Sequence, residues 1–320
     1  MTALEDAPPT RRAARERTRR HFSLASVVVA AMLLAGVGTI TYPTAANWFS
    51  DRAHATEVSG YVQNVQDLGE SALQKILEDA EQYNHDLQSG PLRDPFVLDE
   101  EGRAKDLKDG WDDYASRLDF GPEAPMARIR IPEIGVDLPI YHGTDDAVLD
   151  KGVGHLYGTS LPVGGAGTHS VLSGHSGLPG SELFTRANQL QNDDLIFIDG
   201  AGKTLTYKVA QILTVAPDDA SHLRRVAGHD YVTLLTCTPI GVNSHRLLVR
   251  AERVPDTAVS DEAARVAPNA TDPGFPWWAL WTGATLLGCI ALAWPRIPSA
   301  VRRRLRDRPA TMPPKSAHLR

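Results

Sequence analysis

Two apolar runs without a charged residue, 22–42 and 277–294, lie near the two ends of this 320-residue chain. As helices they would measure about 31 Å and about 27 Å, close to the hydrocarbon thickness of a bilayer. The first run exceeds the roughly 7–15 apolar residues of a cleaved signal peptide, although the small residues at 44–46 leave cleavage open as the alternative. We therefore predict transmembrane helices over 22–42 and 276–295, with the first retained in the mature protein.

Charge is distributed unevenly along the chain, and this predicts its orientation in the membrane. The segment 1–21 carries six arginines against three acidic residues, a net charge of +3, and the segment 296–320 carries eight basic residues against one acidic residue, a net charge of +7. Between the apolar runs, 51–275 carries 19 basic and 35 acidic residues, a net charge of −16. Basic flanks favour the cytoplasm, so we predict two cytoplasmic tails and an extracellular middle. A region this acidic argues against nucleic-acid binding.

The extracellular part begins with a predicted helical segment over 43–120. Apolar residues recur at three- and four-residue spacing over 51–88, where Gly60 and Gly69 favour two helices or one kinked helix. A linker rich in Pro, Ala and Asp is predicted over 255–275, leading back to the membrane.

Between these segments, 121–254 is predicted to form a mainly β domain. Short β-type runs are separated by clusters of Gly, Pro, Asn and Asp. The strand candidates are 128–131, 136–141, 170–172, 195–198, 205–215, 232–236 and 247–254. One short helix is predicted over 182–190. Several short strands with so little helix favour a closed or nearly closed β-barrel.

Cys237 stands at the end of the β-type run 231–236, and Arg246 lies nine residues on, inside a second β-type run, 245–249. A lone cysteine at a strand end, with a basic residue on the following strand, is a candidate nucleophile; a buried structural thiol is the alternative. Cys289 lies in the second apolar run and is interpreted as a small hydrophobic residue. Since the extracellular part contains a single cysteine, it cannot form an internal disulfide.

A nucleophilic thiol needs one group that handles protons and another that stabilises the oxyanion. Arg246 suits the second task because its guanidinium is always charged and donates in a rigid fork; an arginine facing solvent is the alternative. His245 is adjacent, but neighbouring strand residues point to opposite faces. His175, in a glycine-flanked loop after a strand, is the candidate for the first task, and an exposed bystander is the alternative. Spacing alone does not join these residues into one site, and it shows no metal-ligand pattern.

Residues 127–250 resemble the catalytic domain of the sortase family. The family's cysteine motif is matched at 233–237 (TLLTC), its arginine at 245–249 (HRLLV) and its histidine at Gly174-His175. The resemblance implies a closed sortase-type β-barrel of about eight strands, with His175, Cys237 and Arg246 as the catalytic residues.

Other segments resemble class C, the pilin-polymerising sortases of Gram-positive bacteria. Within the barrel these are 140–143 (IYHG) and 152–164; before it, 80–84 (AEQYN) is similar to a helical stretch of that class. Asp94, Pro95 and Phe96 resemble its lid, whose aromatic residue plugs the active site, and housekeeping sortases usually lack a second apolar run. The chain departs from the class at Ser176, where many members carry a larger or basic residue.

The resemblance implies a transpeptidase that requires no metal or organic cofactor. Cys237 would cleave a Leu-Pro-x-Thr-Gly (LPxTG) sorting signal of a secreted pilin between Thr and Gly through a thioacyl intermediate, with Arg246 stabilising the oxyanion and His175 handling the proton. A lysine of the next pilin subunit would accept the acyl group, and the lid would inhibit the enzyme until it opens. The alternatives are a sortase that anchors surface proteins to the cell wall and a non-catalytic scaffold of the pilus machinery.

Overall fold

The computed structural model describes residues 24–87, 110–178, 180–255 and 273–293. Both predicted tails, the predicted lid residues Asp94, Pro95 and Phe96, and most of the predicted linker lie outside these ranges. The chain divides into two compact units: one is Tyr42–Pro276, and the other contains the apolar helices on either side of it.

The N-terminal part of the chain forms two helices, α1 (Leu24–Asp67) and α2 (Glu70–Asp86). The predicted division falls at Gly69, whose extended backbone (φ −70°, ψ 154°) separates the two helices. Gly60 costs about 1 kcal/mol in a helix interior, yet it does not interrupt α1. Its neighbour Tyr61 is fully buried against the barrel, and this packing offsets the low helix propensity.

Eight strands form a closed barrel in the order β1-β2-β3-β4-β7-β8-β6-β5, which confirms the predicted fold. Their bounds are β1 Ala127–Ile131, β2 Val136–His142, β3 Val153–His155, β4 Thr168–Ser173, β5 Leu195–Gly200, β6 Lys203–Val215, β7 Asp230–Thr238 and β8 His245–Arg253. The pairs β2–β3 and β4–β7 are parallel, and the other pairs are antiparallel. The parallel pair β4–β7 places the ends of two strands at one edge of the barrel, which is where the candidate site lies.

Among the described residues from 110 to 255, the α-helices are short: α3 (Trp111–Ala115) lies before the barrel and α4 (Asp146–Lys151) between β2 and β3. The prediction of a helix over 182–190 is wrong: this segment forms turns and a single 3-10 turn, Ala187–Gln189. The N–H groups of Thr185, Ala187 and Gln189 donate to the carbonyls three residues earlier, which is the bonding of turns and 3-10 helix, whereas an α-helix bonds four residues back.

The C-terminal half of α1 contacts the barrel through Tyr61, whose hydroxyl donates to the Asp199 carbonyl at 3.2 Å. Nearby, Arg128 pairs with Asp137 at 2.6 Å and Arg130 pairs with Asp199 at 2.8 Å, all four side chains being buried or nearly so. The α2 helix contacts the barrel elsewhere: the Asn84 amide donates to the Leu161 carbonyl at 3.0 Å and accepts from the Leu161 N–H at 2.7 Å.

Among the described residues, α1 is the one helix long and apolar enough to cross a membrane. The second apolar helix, α5 (Trp277–Ala293), has 17 residues, fewer than the about 20 of a typical span. The two helices pack in one unit: Ala30 is 7% exposed, Cys289 is 5% exposed, and the Cys289 thiol donates to the Ala30 carbonyl at 3.5 Å. One predicted membrane helix thus has the required length, and the second stays a prediction.

Candidate active site

The candidate nucleophile lies at the end of β7, on the face of the sheet turned away from the main core. Side chains alternate across a strand, and Leu234 belongs to the main core while Leu235 belongs to a smaller cluster on the opposite face. Cys237, two residues after Leu235, shares the face of that smaller cluster. It is 8% exposed and is not in a disulfide.

Arg246 lies directly opposite Cys237, because β7 and β8 pair with these two residues in register. Residues opposite each other in an antiparallel pair point to the same face, with Cβ atoms about 4.5–5.5 Å apart. Arg246 is 6% exposed, whereas His245, which alternation places on the other face, is exposed. One guanidinium nitrogen, Nη1, donates to the carbonyls of Asn243 at 3.1 Å and His245 at 3.3 Å, which holds Arg246 at the β7–β8 turn.

His175 reaches the same edge through the parallel pairing of β4 with β7. Ser173, the last residue of β4, pairs with Leu235, and the Gly174 N–H donates to the Leu235 carbonyl at 3.2 Å, so the pairing continues past the strand end. His175 lies two residues beyond Ser173, in the loop that follows the strand, and Cys237 lies two residues beyond Leu235. We expect the alternation of β4 to continue into this loop and to turn the imidazole toward the thiol, and this stays a prediction.

Two hydroxyl groups tie the His175 loop to the end of β7. Thr236 Oγ1 donates to the Gly174 carbonyl at 2.6 Å, and Ser176 Oγ donates to the Cys237 carbonyl at 2.5 Å. His175 is thus flanked on both sides by bonds to the strand that carries the thiol. Ser176, which sequence comparison marked only as a departure from class C, is one of these two ties.

A cleft of about 150 Å³, partly open to solvent, lies beside the thiol. Its lining includes Ser176, Phe184, Thr185, Asn188, Cys237 and Ile240. The Phe184 ring has room there because residue 174 is glycine; the Cβ of any other residue at that position would lie 2.8 Å from the ring. Sequence reasoning missed Phe184, Asn188 and Ile240. Two glycines were signals, since glycine marks a close approach of another group to the backbone: Phe184 approaches Gly174 and Ile240 approaches Gly177.

Two buried histidines, His155 and His169, are structural groups. Burial lowers the pKa of each imidazole to about 4, so both are neutral at neutral pH. His155 Nε2 donates to the Ser160 carbonyl at 2.8 Å, and His169 Nδ1 donates to the Arg224 carbonyl at 3.0 Å. Because each of these rings is buried and donates its proton to a backbone carbonyl, neither is a candidate proton carrier.

The arrangement at the barrel edge suits covalent catalysis. A thiol can attack a carbonyl carbon, an imidazole can carry the proton of the leaving and entering groups, and a guanidinium can stabilise the oxyanion between them. Within the described part of the chain, no group of three or more His, Cys, Asp or Glu side chains is placed to hold a metal ion.

Comparison with known proteins identifies the same region. Residues 129–254, which include His175, Cys237 and Arg246, match the family model described as the Sortase domain. Sortase SrtE1 of Streptomyces coelicolor is 33% identical over 181 residues, 49% of this chain and 51% of that protein. Sortase D of Bacillus subtilis is 30% identical over 156 residues, 47% of this chain and 76% of that protein. The chain thus spans about half the length of the first relative and about three quarters of the second.

Solved structures match a larger share of the chain than the family model does. Sortase C-1 of Actinomyces oris is 49% identical with a TM-score of 0.54, and the match covers 58% of this chain and 99% of that one. Sortase C of Streptococcus pneumoniae, whose structure is described as informative on catalysis and pilin substrate specificity, is 36% identical with a TM-score of 0.56; the match covers 62% of this chain and 96% of that one.

Proposed function

The chain belongs to the sortase family of cysteine transpeptidases, and we propose that it is a class C sortase that joins secreted pilin subunits. The observation that carries the proposal is the pairing at the barrel edge: Cys237 lies opposite Arg246, and the residues on either side of His175 are bonded to the end of β7. The similarity to two sortase C structures over nearly their whole length supports the class.

The first half of the proposed reaction forms a thioester. The Cys237 thiolate attacks the carbonyl carbon of the Thr–Gly bond in an LPxTG-type signal, and the Arg246 guanidinium stabilises the resulting oxyanion. The C–N bond then breaks, and the glycine amine leaves with a proton from the His175 imidazolium. A cationic imidazole beside the thiol also favours its thiolate form.

The second half transfers the acyl group to an amine. A lysine ε-amine attacks the thioester, gives a proton to His175 and expels Cys237 as the thiolate. The products are an isopeptide bond between two subunits and an enzyme in its starting state. Both halves exchange one acyl acceptor for another, so the transfer needs no electron donor or acceptor.

The proposed location is the cell membrane, with both tails in the cytoplasm and the barrel outside. The charge asymmetry supports this orientation, since the two basic ends flank apolar helices and the barrel lies in the acidic part of the chain. The packing of Cys289 against Ala30 supports α1 and α5 acting as a pair of spanning helices.

The test is mass spectrometry of the full chain in detergent after incubation with an LPxTG peptide. Wild type and Cys289→Ala, the matched cysteine control, are expected to carry an acyl adduct on Cys237, and Cys237→Ala is expected to carry none. The lid prediction adds that Asp94→Ala with Phe96→Ala raises the adduct yield. A folded protein that forms no adduct in any variant would contradict the enzymatic role and favour the scaffold.

The acceptor is identified by supplying two amines in parallel. A pilin fragment with an exposed lysine is expected to be joined to the LPxTG peptide through an isopeptide bond. Transfer only to a cell-wall peptide amine would contradict pilin polymerisation and favour the anchoring sortase.

A further inference from the structure

A turn of α1 just beyond its apolar run contacts the segment that follows the His175 loop. Ser50 Oγ donates to Ser181 Oγ at 3.2 Å, and Ser181 is 6% exposed. A Cβ on Gly180, which has φ +89°, would lie 3.0 Å from the Ala46 Cβ. The backbone at position 180 therefore approaches the helix as closely as van der Waals contact allows, and glycine meets both requirements.

Charged and polar side chains extend this contact along the helix. Asn47 Nδ2 donates to Glu182 Oε1 at 3.5 Å, and Glu182 pairs with Arg186 at 2.8 Å. Burial raises the pKa of Asp51, the nearby Glu182 raises it further and Arg186 lowers it, which places Asp51 within the same group of charges. Four side chains, two from α1 and two from the segment after the loop, thus interact across the interface.

The other side of that segment is bonded to the loop that carries the imidazole. The Phe184 N–H donates to the His175 carbonyl at 3.0 Å, and the Gly177 N–H donates to Thr185 Oγ1 at 2.9 Å. Residues 180–186 therefore lie between the helix and the histidine. A displacement of this turn of α1 is transmitted to the His175 loop through one intervening segment.

The same turn holds the segment that leads into the second apolar helix. Trp48 Nε1 donates to the Gly274 carbonyl at 2.9 Å. At 1.5 Å per residue, Ser50 lies about 12 Å along the helix from residue 42, the end of the apolar run. Both segments that connect the barrel to the membrane therefore meet at the turn that contacts the His175 segment.

We propose that the turn 46–51 of α1 is a positioning element for His175, so that the anchoring helix sets the geometry of the active site. The inference rests on the proposed function and assigns it a regulation. A change in the tilt or depth of α1 moves the imidazole relative to the thiol. A displacement of about 1 Å at a catalytic group can cost on the order of 100-fold in rate.

The test uses the full chain in detergent and compares Ala46→Leu with Thr44→Leu. Thr44 is exposed and lies two residues earlier, on the opposite side of the helix, so it is the matched control. Ala46→Leu is expected to lower kcat on the LPxTG peptide by roughly ten-fold or more with little change in KM. It should also change the pH profile of Cys237 alkylation, whereas Thr44→Leu should match wild type in both measurements.

A second pair of variants, with smaller changes in side-chain volume, keeps the test valid if Ala46→Leu does not fold. If Ala46→Leu does not reach the wild-type melting temperature, Ser50→Ala replaces it, with Ser50→Thr as the conservative rescue. Wild-type kcat and alkylation profile in the folded Ala46→Leu or Ser50→Ala variant would overturn the inference.

Failure of the proposed function gives a different result. If wild type itself does not turn over the peptide, the pH profile of Cys237 alkylation still compares Ala46→Leu with Thr44→Leu. A difference between these two profiles upholds the positioning role without transpeptidation, and identical profiles overturn it.

Discussion

Acid is expected to destabilise the barrel through His155, which has no exposed surface. Its Nε2–H donates to the Ser160 carbonyl at 2.8 Å, so in the neutral ring Nδ1 accepts from the Tyr114 hydroxyl at 2.8 Å. Burial lowers the pKa of His155 from 6.5 to about 4. Between these values the unfolded chain binds a proton that the folded chain does not, so stability is lost as the pH falls from 6.5 toward 4. Integrated from pH 8 to pH 5, the loss from this one histidine is about 2 kcal/mol.

The measurement is urea unfolding of the compact unit Tyr42–Pro276 at pH 8 and pH 5. His155→Gln is expected to be less stable than wild type at pH 8, because it loses packing, but to lose about 2 kcal/mol less between the two pH values. His169→Gln is the matched comparison, since burial lowers the pKa of His169 to about 4 as well. An equal loss with pH in wild type and His155→Gln would refute the reasoning, because the buried ring would then not be the group that takes up the proton.

The buried ion pairs, the active-site arginine and the paired apolar helices each give a further prediction. Asp199→Asn leaves a buried arginine without its carboxylate and should lower the free energy of unfolding by about 3 kcal/mol; a wild-type urea midpoint would contradict this. Arg246→Lys keeps the charge but loses the planar fork, so kcat on the LPxTG peptide should fall roughly 100-fold, and a wild-type kcat would remove Arg246 from the mechanism. Ala30→Cys should form a disulfide with Cys289 on oxidation, whereas Ala31→Cys, on the exposed face, should not; equal yields from the two would exclude the helix packing described above.

The strands of the barrel that could be predicted are those whose own residues show alternating hydrophobicity bounded by turn residues. β1 and β6 could be located from their residues alone, since alternation and flanking turn residues are read within one segment. β3 could not, because Val153–His155 has three residues with a glycine at its centre and owes its conformation to the strands on either side. The sequence offered two glycines, Gly60 and Gly69, at which the N-terminal helix could be interrupted. The helix continues through Gly60 because the neighbouring Tyr61 packs in the core, and it is interrupted at Gly69.

The site was predictable in its chemistry and not in its geometry. Alternation separates Arg246 from His245, and the structure agrees. Which residue of β8 lies opposite Cys237 depends on the register of the hairpin, and no count of residues specifies it. The contact between Ser50 and Ser181 joins residues 131 positions apart in the chain, and no local pattern points to it.

The three reactive groups reach the barrel edge by routes of very different length. Cys237 and Arg246 are joined by one hairpin, whereas His175 meets them through a parallel pairing in which Ser176 and Cys237, 61 positions apart, are bonded. Closing the short loop costs less conformational entropy than closing the long one, so the hairpin can form first. We therefore expect the folding chain to bring thiol and guanidinium together before the imidazole arrives. Under the proposed mechanism, the cysteine gains its proton carrier only when the β4–β7 pairing closes the barrel, so a partly folded chain is protected from premature acylation.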